Sequence, residues 1–240
     1  MEIKDFSHQF DVLLNSFSAT EGLSAAVPLN DIRLTEYEKS VFLTDAQKAY
    51  VLSLYTGKNP YGESFEQTEE IRRYLANLVR EASLTPITTT SGMPLGIDSK
   101  SKFFTLPEDL WFITYESAHV DDAKCESNAD MEVIPVTQDE YHKIKKNPFR
   151  GANNRRSLRL DLSDGIVEIV SKYNVSSYYL RYLKKLKPII LADFGSDISI
   201  EGESTAQNCE LNETLHQKIL ELAVQMAIQS KGYKVRNENN

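Results

Sequence analysis

The chain is poor in cysteine: Cys125 and Cys209 are the two thiols among 240 residues. They stand far apart and no CxxC occurs, so the usual spacing of a zinc or dithiol site is missing. Free thiols in a reducing compartment are the plain reading, with a bridge between them left open. Glycine is sparse too: the ten glycines are scattered, and none opens a strand-to-helix turn in a phosphate-cradling pattern. No G-x-S-x-G elbow and no H-E-x-x-H occurs. His8, His119, His142 and His216 read as solvated or packed side chains rather than ligands. No catalytic residue, cofactor site or metal site is therefore expected. No apolar run of about 18 residues exists, so no membrane span is expected. The first residues, MEIKDFSHQF, lack the basic start and apolar core of a secretory signal.

What the chain does have is charge, unevenly spread. Its length allows one large domain or two small ones with a real core. Charged residues make up 26% and hydrophobic ones 41%, an ordinary globular balance. The formal net charge is −8, yet Asp139 to Lys187 holds twelve Lys and Arg against five Asp and Glu, a local +7. The remainder carries −15. A basic middle in an acidic chain points to charge-complementary contact, with a neighbouring protein or with nucleic acid.

Hydrophobic spacing predicts helices at the start. Phe6, Phe10, Leu13, Leu14 and Phe17 recur at helical intervals, with Ser7 as a candidate cap. Residues 18–30, including Pro28, read as a loop. LTEYEKSVFLTDAQKAYVLSLY, from Leu34 to Tyr55, carries two capping boxes, Thr35-x-x-Glu38 and Thr44-x-x-Gln47. Its apolar residues form no single stripe, so a long helical element bent or stepped near Thr44 is expected. Gly57-Lys58-Asn59-Pro60-Tyr61-Gly62 stops it. A third helix is expected from Phe65 to Ala82, with Ile71, Tyr74, Leu75, Leu78 and Val79 on its apolar face.

From Leu84 the pattern changes. LTPITTTSG, KFFTLPEDLWFITYESAHV and ADMEVIPVT read as strands. TQDEYHKIKK reads as a short helix started by Thr137-x-x-Glu140, and NPFRGANNRR as a loop. SLRLDLSDGIVEIVSKY reads as a hairpin turning at Asp164-Gly165. SYYLRYLKKLKPIIL is a further strand, ending near Pro188. After a polar stretch over residues 192–208 comes a strong helix. Asn212 caps it, Leu215, Ile219, Leu222, Ala223, Met226 and Ala227 form its apolar face, and Lys231-Gly232 closes it. The expected class is α+β: a helical region over residues 1–83, a central antiparallel β domain over 84–208, a C-terminal helix over 209–233 packing on the helical region, and a flexible tail over 234–240.

Two basic constellations are the candidate contact residues. KIKKNPFRGANNRRSLR holds Lys143, Lys145, Lys146, Arg150, Arg155, Arg156 and Arg159 around one aromatic, Phe149. It reads either as a phosphate-tracking loop or as a solvated or Arg-rich partner surface. The lack of interleaved aromatics argues against single-strand stacking. The second set threads Tyr178, Tyr179 and Tyr182 with Arg181, Lys184, Lys185 and Lys187.

Three stretches together resemble a known family. LTEYEKSVFLTDAQKAYV resembles the helical opening, VSKYNVSSYYLRYLKKLKPIIL the tyrosine-rich β segment, and CELNETLHQKILELAVQMAIQS the closing helix of the head-to-tail connector proteins of tailed phages. The combination is closest to the ring proteins of crAss-like phages and similar in layout to the tail tubular protein A group. The three stretches cover 62 of 240 residues, and residues 90–135 match nothing in that pattern. The resemblance implies a virion protein, assembled in the host cytoplasm, that forms a ring of copies of itself, usually twelve-fold. Such a ring lies beneath the portal, its helical part against the portal or its neighbours and its β part toward the tail or further ring proteins. It surrounds the DNA channel and can touch DNA non-specifically. A nucleic-acid-binding accessory protein and an enzyme of unrecognised type are the competing readings.

Overall fold

The computed structural model describes residues 1–20, 33–59, 62, 64, 65, 67–88, 96–121, 130–162, 165–195 and 198–230. The Pro28 loop, Pro60, Tyr61, most of TTTSG, Cys125, Asp164, Lys231-Gly232, the 234–240 tail and the Phe17 side chain lie outside the described residues. The chain divides into two compact units, Met1–Asn77 with Leu186–Asn240, and Leu78–Lys185.

The first unit is helical. Helix α1 (Ile3–Thr20) begins before Ser7 and buries Phe6, Phe10 and Leu14 at four-residue intervals. Helix α2 (Glu36–Thr56) starts at a complete capping box: Thr35 Oγ1 accepts from Glu38 N–H, and the Glu38 carboxylate accepts from Thr35 N–H. It ends at Gly57, whose φ of 76° suits a residue without a side chain. The expected step at Thr44 is absent, for α2 runs unbroken past it.

The reason is a polar buried face. Ser40, Thr44 and Gln47 are buried at helical spacing and bond the extended backbone of residues 187–191. Leu191 N–H donates to Ser40 Oγ at 3.0 Å and Ile189 N–H to Thr44 Oγ1 at 3.1 Å. Gln47 Nε2 donates to the Lys187 carbonyl at 2.9 Å. On the other side of the same segment, Ile190 exchanges backbone bonds with Gln207. The side chains of α2 thus stand where a neighbouring strand would otherwise satisfy the backbone. A helix whose buried residues alternate Ser40, Thr44 and Gln47 with Leu43, Ala46, Val51 and Leu54 cannot show one apolar stripe.

The helix expected from Phe65 to Ala82 is only α3 (Glu69–Tyr74), followed by a 3-10 turn over Ala76–Leu78 and strand β1 (Val79–Leu84). Six residues of β1 pair antiparallel with Leu183 back to Tyr178, and this non-local ladder outweighs local helix preference. Helix α5 (Glu213–Ser230) packs on α1 and α2. Asn212 caps it, its Oδ1 accepting from Thr214 N–H at 3.0 Å. Facing two helices, α5 buries His216, Leu220, Val224 and Ile228 beside the expected Leu215, Ile219, Ala223 and Ala227.

The second unit is a seven-stranded sheet in the order β1-β7-β3-β4-β5-β6-β2. Its other strands are β2 (Lys102–Thr105), β3 (Leu110–Val120), β4 (Asp130–Pro135), β5 (Arg156–Asp161), β6 (Ile166–Val170) and β7 (Val175–Lys184). The α+β class holds. The sheet is mixed rather than wholly antiparallel, because β4 and β5 run parallel. Parallel neighbours need a crossover, which helix α4 (Gln138–Ile144) supplies. Thr137 stands at its N-cap without making the capping bond. Beyond β1, Ile87 donates to the Phe103 carbonyl of β2 at 2.9 Å, so the two ends of the sheet meet and it curls. Phe104, Ala118, Met131, Ile169, Tyr178 and Leu180 fill the inside of the curl. On the other face α4 lays Tyr141 over Leu158 and Leu160. Strand β7 stops at Lys184, and residues 187–191 belong to the helical unit.

Candidate assembly surfaces

The residues between α4 and β5 form a braced, exposed basic loop. Asn147 Oδ1 accepts from Phe149 N–H at 2.9 Å and Arg150 N–H at 3.2 Å. Gly151 N–H donates to the Asn147 carbonyl at 2.7 Å, and a Cβ on Gly151 would stand 2.9 Å from that oxygen. Glycine is what permits this close approach. Asn153 Oδ1 accepts from Arg155 N–H at 2.8 Å, and Arg156 Nη1 donates to the Phe149 carbonyl at 2.8 Å. The loop is therefore tied at both ends by its own side chains.

On this frame Lys143, Lys145, Lys146, Arg150 and Arg155 are exposed, and Phe149 at 84% exposure stands among them. Lys145 lies 3.9 Å from Asp98 and above the Tyr141 ring. Among the described residues, Lys143, Lys146, Arg150 and Arg155 take part in no ion pair. Arg156 is half-buried, 3.8 Å from the Glu132 carboxylate, and belongs to the brace more than to the surface.

Arg159 and Tyr178 lie elsewhere, inside the curled sheet. Arg159 Nη1 donates to both Glu116 carboxylate oxygens at 2.8 and 2.9 Å, and the Tyr178 hydroxyl donates to Glu116 Oε2 at 2.6 Å. Arg159 Nε also lies 2.9 Å from Asp161, an ion pair without hydrogen-bond alignment. Burial lifts the Glu116 carboxyl above its ordinary range, with Arg159 pulling the other way. Burial, then the Glu116 charge, pushes the Tyr178 hydroxyl far up, so it stays a donor. Tyr182 is also buried, donating to Asp109 at 2.9 Å.

Tyr179 and Arg181 point out of the sheet. Arg181 Nε bonds the Tyr179 hydroxyl at 3.0 Å and Glu81 at 2.9 Å, and Tyr179 meets Tyr115 edge-on. With His119 and Asp130 they line an open groove of about 540 Å³. Glu81, Arg181 and Tyr115 lie in one row across three strands. The sequence reading missed Tyr115 and Glu116. The alternation of β3 separates them, but only once its pairing with β7 is known.

The helical unit carries an acidic surface. Residues 190–195 and 198–207 are tied to each other: Phe194 N–H donates to the Ser204 carbonyl at 2.9 Å, and Ile200 and Glu203 exchange bonds at 2.8 and 3.0 Å. Glu201 at φ 55° and Gly202 at φ 88° make the tight turn. Glu203 is exposed, Glu201 pairs with Lys48, and Ile198 is 47% exposed. From Pro188 to Gln217 there are six Asp and Glu and no Lys or Arg. The helical unit holds twenty Asp and Glu against twelve Lys and Arg, a net −8, whereas the β unit holds fifteen of each. The β unit is neutral overall, with its positive charge concentrated on a loop.

Comparison with known proteins yields consistent findings. The family model for phage tail ring protein 3/4 matches residues 1–239. The chain is 47% identical over 234 residues to ring protein 3 of Bacteroides phage crAss001, covering 96% of each chain. It is 28% identical over 237 residues to ring protein 4/5 of the same phage, covering 95% of this chain and 92% of that one.

Proposed function

The chain belongs to the phage tail ring protein 3/4 family, and from that premise we propose that it is a structural subunit, not an enzyme, of a head-to-tail connector ring. The ring joins the portal to the tail around the DNA channel, is twelve-fold, and sits in the neck of the virion. Whole-chain similarity to two ring proteins of one phage is the observation that carries this reading. A net-negative helical unit and a neutral β unit with an exposed cationic loop give each copy two unlike surfaces, which a closed ring of identical subunits requires. Helical surfaces then meet the portal or adjacent copies, and the β unit faces the tail.

Class averaging by electron microscopy tests it, on the purified chain alone and with portal protein. Rings, or an added layer on the portal, support the proposal and count the subunits. A monomer in both samples overturns it. A second reading, DNA binding through the loop, draws on the cations of Lys143, Lys146, Arg150 and Arg155. It requires DNA affinity that falls steeply with salt and is lost when these charges are removed.

A further inference from the structure

We propose that the basic loop of one copy, residues 143–156, docks on the acidic hairpin, residues 190–195 and 198–207, of the next copy. The inference rests on the ring reading above and names its subunit contact. The loop offers Lys143, Lys146, Arg150 and Arg155 without ion-pair partners among the described residues. The hairpin offers the exposed Asp193 and Glu203 in a stretch whose own sequence has no Lys or Arg, while Glu201 is already paired with Lys48 of α2. Each also exposes one large apolar side chain, Phe149 on the loop and Ile198 on the hairpin. An apolar anchor inside a charged rim is the composition of a protein interface. Phosphate tracking gives no use for a lone phenyl ring at 84% exposure, since single-strand binders stack successive bases on several aromatics.

Both surfaces are preorganised. The Asn147, Asn153 and Arg156 bonds hold the loop, and the Ile200–Glu203 pair holds the hairpin. Little ordering entropy is left for association to overcome. The two surfaces sit on different units and are unlike each other, so the contact is heterologous and propagates from copy to copy until it closes.

A charge-swap experiment on the full chain tests this. A loop variant carries Lys143→Glu, Arg150→Glu and Arg155→Glu. A hairpin variant carries Ser199→Lys and Glu203→Lys. All five positions are exposed, so thermal melts should match the wild type. Assembly is read by light scattering and electron microscopy, alone and with portal. Each variant alone should weaken copy-to-copy association about a hundredfold or more, because like charges then face each other. A one-to-one mixture should assemble again, since every loop then meets a hairpin of opposite sign. Phe149→Ala should weaken assembly without altering charge.

Rings formed by each variant alone would overturn the inference while leaving the ring reading intact. Rescue by combining both sets of changes in one chain, but not by mixing, would place the contact within a single chain and overturn it as well. Unchanged assembly with lost DNA affinity in the loop variant would assign the loop to DNA. A wild-type chain that never assembles overturns both readings.

Discussion

Thr44 and Ile189 lie 145 residues apart in the chain and exchange two buried hydrogen bonds. Ile189 N–H donates to Thr44 Oγ1 at 3.1 Å, and the hydroxyl returns its proton to the Ile189 carbonyl at 3.4 Å. One threonine side chain thus serves as both donor and acceptor to a backbone segment that has no strand on that side.

Thr44→Val should therefore destabilise the protein by about 1–3 kcal/mol, because it strands a buried N–H and a buried C=O. Thr44→Ser should recover most of the loss. Urea unfolding of the three proteins measures this. Equal midpoints for Val and wild type would refute the role given to the hydroxyl.

Thr35 has the opposite character. Its side chain bonds within its own turn, to Glu38. Thr35→Ala should cost about 1 kcal/mol. Asp at position 35 should restore most of it, whereas Asp at position 44 should not. A thermal melt of each variant distinguishes a helix start from a tertiary acceptor.

The Arg159–Glu116 pair is buried, each side chain 10% exposed. Removing one partner leaves the other charge uncompensated, so Arg159→Met should cost about 3–5 kcal/mol. Arg159→Met combined with Glu116→Leu should cost much less than the sum of the two single changes. A double-mutant cycle in urea reads the coupling directly. Additive effects would mean the two side chains do not act as a unit.

His216 is 4% exposed, and burial holds its pKa below the ordinary 6.5. The unfolded chain takes up a proton near pH 6.5 and the folded chain only at lower pH. The stability this difference represents is present above 6.5 and lost as pH falls below it. Glu116, with its raised folded pKa, acts in the opposite sense, its contribution falling as pH rises above 4.5. Stability measured at steps between pH 7.5 and about 5 should decline less in His216→Gln than in the wild type. Identical slopes would exclude His216 as the titrating group.

Much of this architecture is legible in the residues because local rules and tertiary structure agree there. The alternating β5–β6 hairpin, the Asn212 cap and the Thr35 box each carry their own signal. The resemblance carried by the opening helix, the tyrosine-rich segment and the closing helix led to the right family, the ring proteins of crAss-like phages. The failures share one cause, a partner distant in sequence. Val79 to Leu84 has acceptable helical spacing and becomes a strand only because β7 is there to pair with it. Thr44-x-x-Gln47 has the form of a helix start and instead serves residues 187–189, Thr44 accepting from the Ile189 N–H and Gln47 donating to the Lys187 carbonyl. Arg159 looks like one more cation of a basic loop. A shift of a few positions into β5 turns it inward onto Glu116. The exposed loop itself was visible as a charge imbalance, but which of its cations face solvent depends on the brace through Asn147 and Arg156.

The β unit interrupts the helical unit in the chain, which leaves at Asn77 and returns at Leu186. During translation this fixes an order. Every strand of the sheet has been made when Lys184 leaves the ribosome, so the β unit can close on a nascent chain. Helices α1 and α2 have by then been synthesised but still lack α5 and the segment that Ser40, Thr44 and Gln47 must satisfy. The oldest part of the polypeptide is thus the last to meet all its partners, and a chain truncated before Leu186 would have every strand of its sheet while the polar face of α2 went unmet.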